Sequence, residues 1–133
     1  MTKFFEPPPS EEAQPFWDAT RDQRLVLPWC TACGVPYWYP RPSCPRWLSD
    51  AVEWKPASGT AQVYAASVMH RPGPFRDEAD GPYAVALVEL PEGVRMMTNV
   101  VDCPAESVII GMAVKIRWQP LADGRHLPLF APV

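Results

Sequence analysis

Proline sets the strongest limit on what this chain can fold into. The 133 residues include 18 prolines, and each proline lacks a backbone N–H donor and fixes its own φ angle. Because proline also disfavours the helical conformation of the residue before it, long helices have little room. We therefore expect short strands, extended segments and loops, and we exclude helix bundles and doubly wound α/β folds.

The rest of the composition indicates a folded domain. Hydrophobic residues make up 47% of the sequence and include 6 Trp, 5 Phe and 4 Tyr, which disordered chains lack. No apolar stretch reaches the ~18 residues of a membrane-spanning helix, and the N-terminal sequence does not resemble a secretion signal. The net charge of −3 argues against a phosphate-binding surface for nucleic acid. We expect a cytoplasmic protein with neither membrane nor nucleic acid as partner.

The segment 1–23 is expected to form an N-terminal arm followed by a short helix. Three consecutive prolines at positions 7–9 favour an extended arm, and residues 15–22 favour a helix with proline in its first turn. A helix this short does not persist alone, so it must pack on the protein or on a partner. The aromatic residues of arm and helix are candidates for partner contact: Phe4, Phe5, Phe16 and Trp17.

Residues 24–56 predict a small ribbon lobe built around cysteines. Cys30 and Cys33 have the CxxC spacing of a metal-binding knuckle, and Cys44 follows ten residues later. A four-cysteine ribbon would place its last ligand at position 47, where this chain has Trp47. Three interpretations stay open. Zinc could bind Cys30, Cys33 and Cys44 with a fourth ligand from elsewhere, Trp47 could fill the volume of the metal in a metal-free ribbon, or the CxxC pair could be redox-active.

Residues 57–133 predict a barrel of five short strands. Pro91-Glu92-Gly93 is short enough to connect two of them as a hairpin. Short strands without an intervening long helix are typical of small closed barrels, although their number does not separate an OB-fold from an SH3-like barrel. The expected strands are residues 60–70, 83–90, 94–101, 113–118 and 127–130.

These parts occur in an order that resembles a known protein family. The matching segments lie between about residues 12 and 131 and include Leu25-Val26-Leu27, Cys30-x-x-Cys33-Gly34, Tyr39-Pro40-Arg41-Pro42-x-Cys44-Pro45, Ser58-Gly59-Thr60, Tyr83-Ala84-Val85-Ala86-Leu87-Val88-Glu89-Leu90 and Leu127-Pro128-Leu129-Phe130. The chain resembles the small acyl-CoA-associated proteins that join a rubredoxin-like zinc ribbon to an OB-fold. The resemblance implies a mainly β protein with an N-terminal arm and short helix, a degenerate ribbon lobe and a five-stranded OB-fold barrel.

The resemblance also implies a role beside another protein. Members of this family act as non-catalytic partners of thiolase-like enzymes, lipid-transfer-protein-type aldolases or MaoC-type hydratases in acyl-CoA metabolism, including steroid side-chain degradation. This implies a heteromeric complex, with a heterotetramer the expected assembly and acyl-CoA a ligand of the complex. A ribbon–OB module that binds single-stranded nucleic acid is the alternative from another class, and the acidic net charge disfavours it.

Catalytic motifs are missing from the sequence. There is no HExxH motif, no Ser-His-Asp order and no phosphate-cradling glycine loop, so we assign no catalytic residue to this chain. Arg71 and Arg76 follow the first barrel strand, and their planar guanidinium groups suit the phosphate of coenzyme A. A solvated loop is the alternative interpretation of these two arginines.

Overall fold

A computed structural model describes residue 8 and residues 10–41, 43–44, 50–70 and 81–133. Within these residues, helix α1 spans Gln14–Thr20 and a 3-10 turn spans Ala105–Ser107. No helix among them is long and apolar enough to cross a membrane. The strands are β1 Val26–Cys30, β2 Val35–Pro36, β3 Val52–Pro56, β4 Thr60–Met69, β5 Tyr83–Glu89, β6 Arg95–Val100, β7 Ala113–Pro120 and β8 His126–Pro132.

The expected short helix is confirmed, and it ends slightly earlier than its sequence suggests. Pro15 lies in the first turn, where its missing N–H has no cost. Gln23 then adopts a left-handed φ of 56°, and the N–H of Arg24 donates to the carbonyl of Ala19 at 3.0 Å. This turn directs the chain away from the helix and into β1.

The ribbon is a sheet of three short antiparallel strands in the order β2-β1-β3. The pairing of β1 with β3 runs from Val26 opposite Pro56 to Cys30 opposite Val52. On the other side of β1, Cys30 lies opposite Val35 of β2. The central strand therefore ends at the first cysteine, with a neighbouring strand on each side.

The remaining five strands close into a barrel in the order β4-β5-β6-β8-β7. Strands β5 and β6 form the predicted hairpin, and β7 closes the barrel by pairing with β4. A simple meander would place β7 beside β6, whereas here β6 pairs in parallel with β8 at Val100 and Phe130. Five strands with this crossing form the Greek-key barrel of the OB-fold, which confirms the predicted fold class.

One hydrophobic core joins the helix, the ribbon and the barrel. Phe16 and Trp17 of α1 belong to the same buried cluster as Leu27 of β1 and as Val88 and Phe130 of the barrel. The division into segments 1–23, 24–56 and 57–133 stays a prediction, because this cluster crosses both proposed boundaries.

The helix is also attached to β8 by hydrogen bonds. The hydroxyl of Thr20 donates to the carbonyl of Trp17 at 2.6 Å and accepts from the N–H of His126 at 3.2 Å. Nδ1 of His126 lies 2.8 Å from the carbonyl oxygen of Thr20. The guanidinium of Arg21 donates to the carbonyl of Asp123 at 2.6 Å. These contacts place α1 against the turn that precedes β8.

Replacing Gly59 by alanine should destabilise the junction between the ribbon and the barrel. Gly59 has a φ of +83°, and an added Cβ would lie 3.0 Å from Cγ2 of Ile116. A left-handed conformation costs an L-residue about 1–2 kcal/mol, and the crowded contact adds about 1–3 kcal/mol. We expect Gly59→Ala to lower the free energy of unfolding by about 2–5 kcal/mol in urea titrations.

Gly111→Ala is the matched control for this substitution. Gly111 also has a positive φ, +90°, but none of the described atoms lies within 4 Å of its added Cβ. Gly111→Ala should lower the free energy of unfolding only by the conformational cost, about 1–2 kcal/mol. Equal losses in the two variants would contradict the role assigned to the contact with Ile116.

Candidate functional site

Three cysteines that are separated in the sequence come together at one end of the ribbon. Cys30 is the last residue of β1, and its carbonyl accepts a hydrogen bond from the N–H of Gly34 at 2.7 Å. Gly34 has a φ of 73°, which glycine adopts without strain. The N–H of Cys33 points at the sulfur of Cys30, at 3.3 Å. The predicted knuckle is therefore formed, and it directs its two sulfur atoms toward Cys44.

The three sulfur atoms lie within 4.8 Å of one another. Sγ of Cys33 is 3.1 Å from Sγ of Cys30 and 3.4 Å from Sγ of Cys44. Cys30 and Cys44 are buried and Cys33 is half-buried. Burial, followed by hydrogen bonds to the two neighbouring thiols, raises the pKa of Cys33 to about 12. Without a bound metal ion, this shift favours the neutral thiol of Cys33.

The donor set found in the described part of the chain falls one ligand short of a closed zinc site. Structural zinc takes four ligands, and the group found among the described residues consists of Cys30, Cys33 and Cys44. Trp47 lies outside the described residues, and an indole offers only an N–H donor. Cys103 packs against the hydrophobic core instead, and Nδ1 of His126 contacts Thr20. Among the residues that the structure describes, the cluster thus has the spacing of a zinc ribbon and three of its four ligands.

An apolar groove of about 320 Å³ opens where α1, the ribbon, β6 and β8 meet. The ring of Trp38 lies edge-on to Phe16, with centroids 5.0 Å apart, and edge-on to Tyr39 at 5.3 Å. Tyr39 is 49% exposed and Met97 is 72% exposed, so the groove has an open apolar rim. We call this surface the aromatic groove; its lining includes Phe16, Trp17, Trp38, Tyr39, Met97 and Leu127.

The structure places the predicted partner-contact residues of the helix largely inside the protein. Phe16 is 2% exposed and Trp17 is 5% exposed, because both pack into the core shared with the barrel. Only the remaining surface of these two rings lines the aromatic groove, and their contact with a partner stays a prediction. The other predicted site residues, Phe4, Phe5, Arg71 and Arg76, lie outside the described residues.

Sequence reasoning did not identify Tyr39 and Met97 as surface residues of interest. Met97 faces outward because its neighbours Met96 and Thr98 face the barrel interior. Successive side chains of a strand point to opposite faces of the sheet. A large apolar residue at an outward-facing position could therefore have been recognised from the alternation in the sequence. Tyr39 lies in an irregular segment after β2, where no periodicity predicts the direction of a side chain.

A charged pair lies beneath the helix. The guanidinium of Arg125 is 5% exposed, lies 4.9 Å from the ring centre of Trp17 and donates to Asp123 at 2.6 Å. The backbone N–H of Arg125, followed by its guanidinium, holds the pKa of Asp123 below its usual value. The pair thereby places a cation against the ring of Trp17, on the buried side of α1.

Acid should remove the stabilisation that the pair of Arg125 and Asp123 contributes. A lowered pKa means that the stabilisation is present above the usual aspartate value of about 3.9 and is lost as pH falls through the lower folded-state pKa. We expect the melting temperature to fall more steeply from pH 4 to pH 2 in the wild type than in Asp123→Asn. Thermal unfolding monitored by circular dichroism at each pH measures the difference. Parallel curves for the two proteins would contradict this assignment.

Comparisons with known proteins agree with both halves of the structure. The ChsH2 rubredoxin-like zinc ribbon domain matches residues 17–53, and the ChsH2 C-terminal OB-fold domain matches residues 54–119. A solved structure described as the Ltp2-ChsH2(DUF35) aldolase contains a chain that is 36% identical, with a TM-score of 0.84 over 96% of this chain and 98% of that one.

Two curated relatives carry different descriptions. A DUF35 domain-containing scaffold protein of Methanocaldococcus jannaschii is 42% identical over 77% of this chain and 82% of its own length. A probable enoyl-CoA hydratase alpha subunit of Thermomonospora curvata is 39% identical over 88% of this chain, which spans only 36% of that protein. The chain therefore belongs to the DUF35 family, in which a ChsH2-type rubredoxin-like zinc ribbon precedes an OB-fold.

Proposed function

We propose that this chain is a non-catalytic partner subunit of a heteromeric acyl-CoA-processing enzyme whose active site lies on a thiolase-fold thiolase or a lipid-transfer-protein-type aldolase. The observation that carries the proposal is the match, over 96% of the chain at a TM-score of 0.84, to a chain of a solved aldolase whose name joins Ltp2 to ChsH2(DUF35). The relative described as a scaffold protein supports the same kind of role.

The aromatic groove is the surface that we assign to the partner subunit. Its rim residues Tyr39 and Met97 expose large apolar side chains, and aromatic residues and methionine are enriched at protein–protein interfaces. The groove also lies between α1, the ribbon and the barrel, so a partner seated in it would contact all three parts. Phe16 and Trp17 would then form the floor of the interface, with Phe4 and Phe5 as further contacts from the arm.

Acyl-CoA is the proposed ligand of the complex, with Arg71 and Arg76 as contacts to its phosphate groups and this chain helping to shape the site. The enoyl-CoA named for one relative supports a coenzyme A ester, and a MaoC-type hydratase is a further candidate partner. We propose a heterotetramer that acts in the cytoplasm in lipid or steroid side-chain degradation.

Co-expression tests this function. The tagged chain would be produced together with the products of the genes adjacent to its own, and the mass of the purified complex measured by light scattering. A complex with the mass of two copies of each subunit is expected. A chain that elutes alone as a monomer in every combination would overturn the proposal.

Nucleic-acid binding is the outcome that would replace this function. The exposed ring of Tyr64 lies on the barrel surface, but the guanidinium of Arg95 already covers it at 3.7 Å, which blocks base stacking on that face. Salt-sensitive binding of a fluorescent oligo(dT) by the isolated chain, with no protein partner in the co-expression, would favour the alternative.

A further inference from the structure

We propose that the ribbon of this chain keeps its fold without a bound metal ion, because its knuckle, its central strand and its aromatic segment are each fixed by contacts within the protein. The proposal goes beyond the partner function and does not depend on it. It follows from the mismatch between a zinc-ribbon fold and the three cysteine ligands found among the described residues, together with contacts that hold the ribbon from within the protein.

Backbone hydrogen bonds hold the knuckle at both ends. The N–H of Gly34 donates to the carbonyl of Cys30 at 2.7 Å, which closes the turn. The N–H and the hydroxyl of Thr31 both donate to the carbonyl of Ala51, at 2.9 and 3.1 Å. The turn is therefore joined directly to the residue that precedes β3, a connection that does not pass through the sulfur atoms.

The central strand of the ribbon is embedded in the core of the whole protein. Leu27 is 0% exposed and Leu25 is 4% exposed, and both belong to the cluster that contains the barrel residues. The N–H of Ala57 donates to the carbonyl of Leu25 at 2.8 Å. An isolated zinc ribbon lacks such a support, and for that reason classical zinc fingers unfold without metal.

Aromatic contacts fix Tyr37 and Trp38, which lie between the knuckle and Cys44. Tyr37 is 7% exposed; its N–H donates to the carbonyl of Pro28 at 3.0 Å and its hydroxyl to the carbonyl of Arg41 at 2.9 Å. Trp38 packs against Phe16 of the helix with ring centroids 5.0 Å apart. The segment that leads to Cys44 is thus held by β1 on one side and by α1 on the other.

Removal of metal from the full chain tests the proposal. The purified protein would be treated with EDTA and 1,10-phenanthroline under reducing conditions, and its residual metal measured by mass spectrometry. We expect the melting temperature to change by less than ~2 °C and the near-ultraviolet circular dichroism of the tryptophans to persist. This holds whether or not the untreated protein carries zinc. A fall of more than ~10 °C that added zinc reverses would overturn the proposal.

Substitutions at two positions separate the contribution of the sulfur atoms from that of packing. Cys33→Ser removes one of the three candidate ligands at a half-buried position and should shift the melting temperature by less than ~3 °C. Leu27→Ala removes core contacts and should lower it by about 8–15 °C. Leu27→Val, with a smaller loss, keeps the comparison possible if the alanine variant does not fold. A larger loss in Cys33→Ser than in Leu27→Val would overturn the proposal, and because no partner is involved, the proposed function would be unaffected.

Discussion

Phe16→Ala is expected to lower the free energy of unfolding by about 3–5 kcal/mol, among the largest effects of any single truncation in this chain. Phe16 is 2% exposed and lies edge-on to both Trp17 and Trp38, with centroids 5.0 Å away in each case. Its ring therefore joins the helix to the ribbon above the barrel core. The truncation would leave a cavity that all three parts border and would remove both aromatic contacts.

Urea unfolding followed by tryptophan fluorescence measures this loss. Gln14→Ala is the control on the same helix, since the exposed amide of Gln14 contacts only Asp18 among the described residues, at 2.8 Å. It should change the free energy of unfolding by less than about 0.5 kcal/mol. If Phe16→Ala were as mild as this control, the helix would not be an integral part of the core.

Met97→Asp is expected to weaken binding of the thiolase-fold subunit about 100-fold, which corresponds to about 2.7 kcal/mol. Met97 is 72% exposed and lies at the rim of the aromatic groove, where the proposed interface would bury it. A carboxylate there would lose its hydration without gaining a partner. Because the side chain is exposed in the free chain, the melting temperature of the variant alone should stay within ~2 °C of the wild type.

Isothermal titration with the co-expressed subunit provides the measurement. Ile110→Asp is a matched control, since Ile110 is 73% exposed but lies in the loop before β7 and does not line the groove. It should leave the dissociation constant within a factor of about 3. An equal loss of affinity in both variants, or no loss in Met97→Asp, would contradict the assignment of the partner surface to the aromatic groove.

Much of the fold could be predicted from local features of the sequence. The prolines excluded long helices, the alternation in residues 113–118 identified β7, and Pro91-Glu92-Gly93 identified the hairpin between β5 and β6. The order of the barrel strands could not be predicted in this way. The parallel pairing of β6 with β8 joins Val100 to Phe130, and no local pattern records a contact between segments so far apart.

The side chains of the site were harder to place than the strands. The apolar face of α1 is equally suited to the protein's own core and to a partner, so only the structure could show that Phe16 and Trp17 are mostly buried. Arginine side chains are mostly exposed in proteins, yet the carboxylate of Asp123 and the ring of Trp17 allow Arg125 to be 5% exposed. The cysteines were the favourable case, because CxxC spacing itself brings two sulfur atoms together.

The attachment of α1 to β8 has a consequence for the order in which the chain folds as it is synthesised. Thr20 contacts His126, 106 positions later, and Arg21 contacts Asp123, 102 positions later. Because these contacts span 106 and 102 positions, the helix leaves the ribosome well before its docking site does. Until then the apolar face with Phe16 and Trp17 has no barrel to cover it, and such faces make incomplete chains prone to aggregation. Native contacts of this sequence separation also slow folding, so α1 reaches its final position only after β8 has been made.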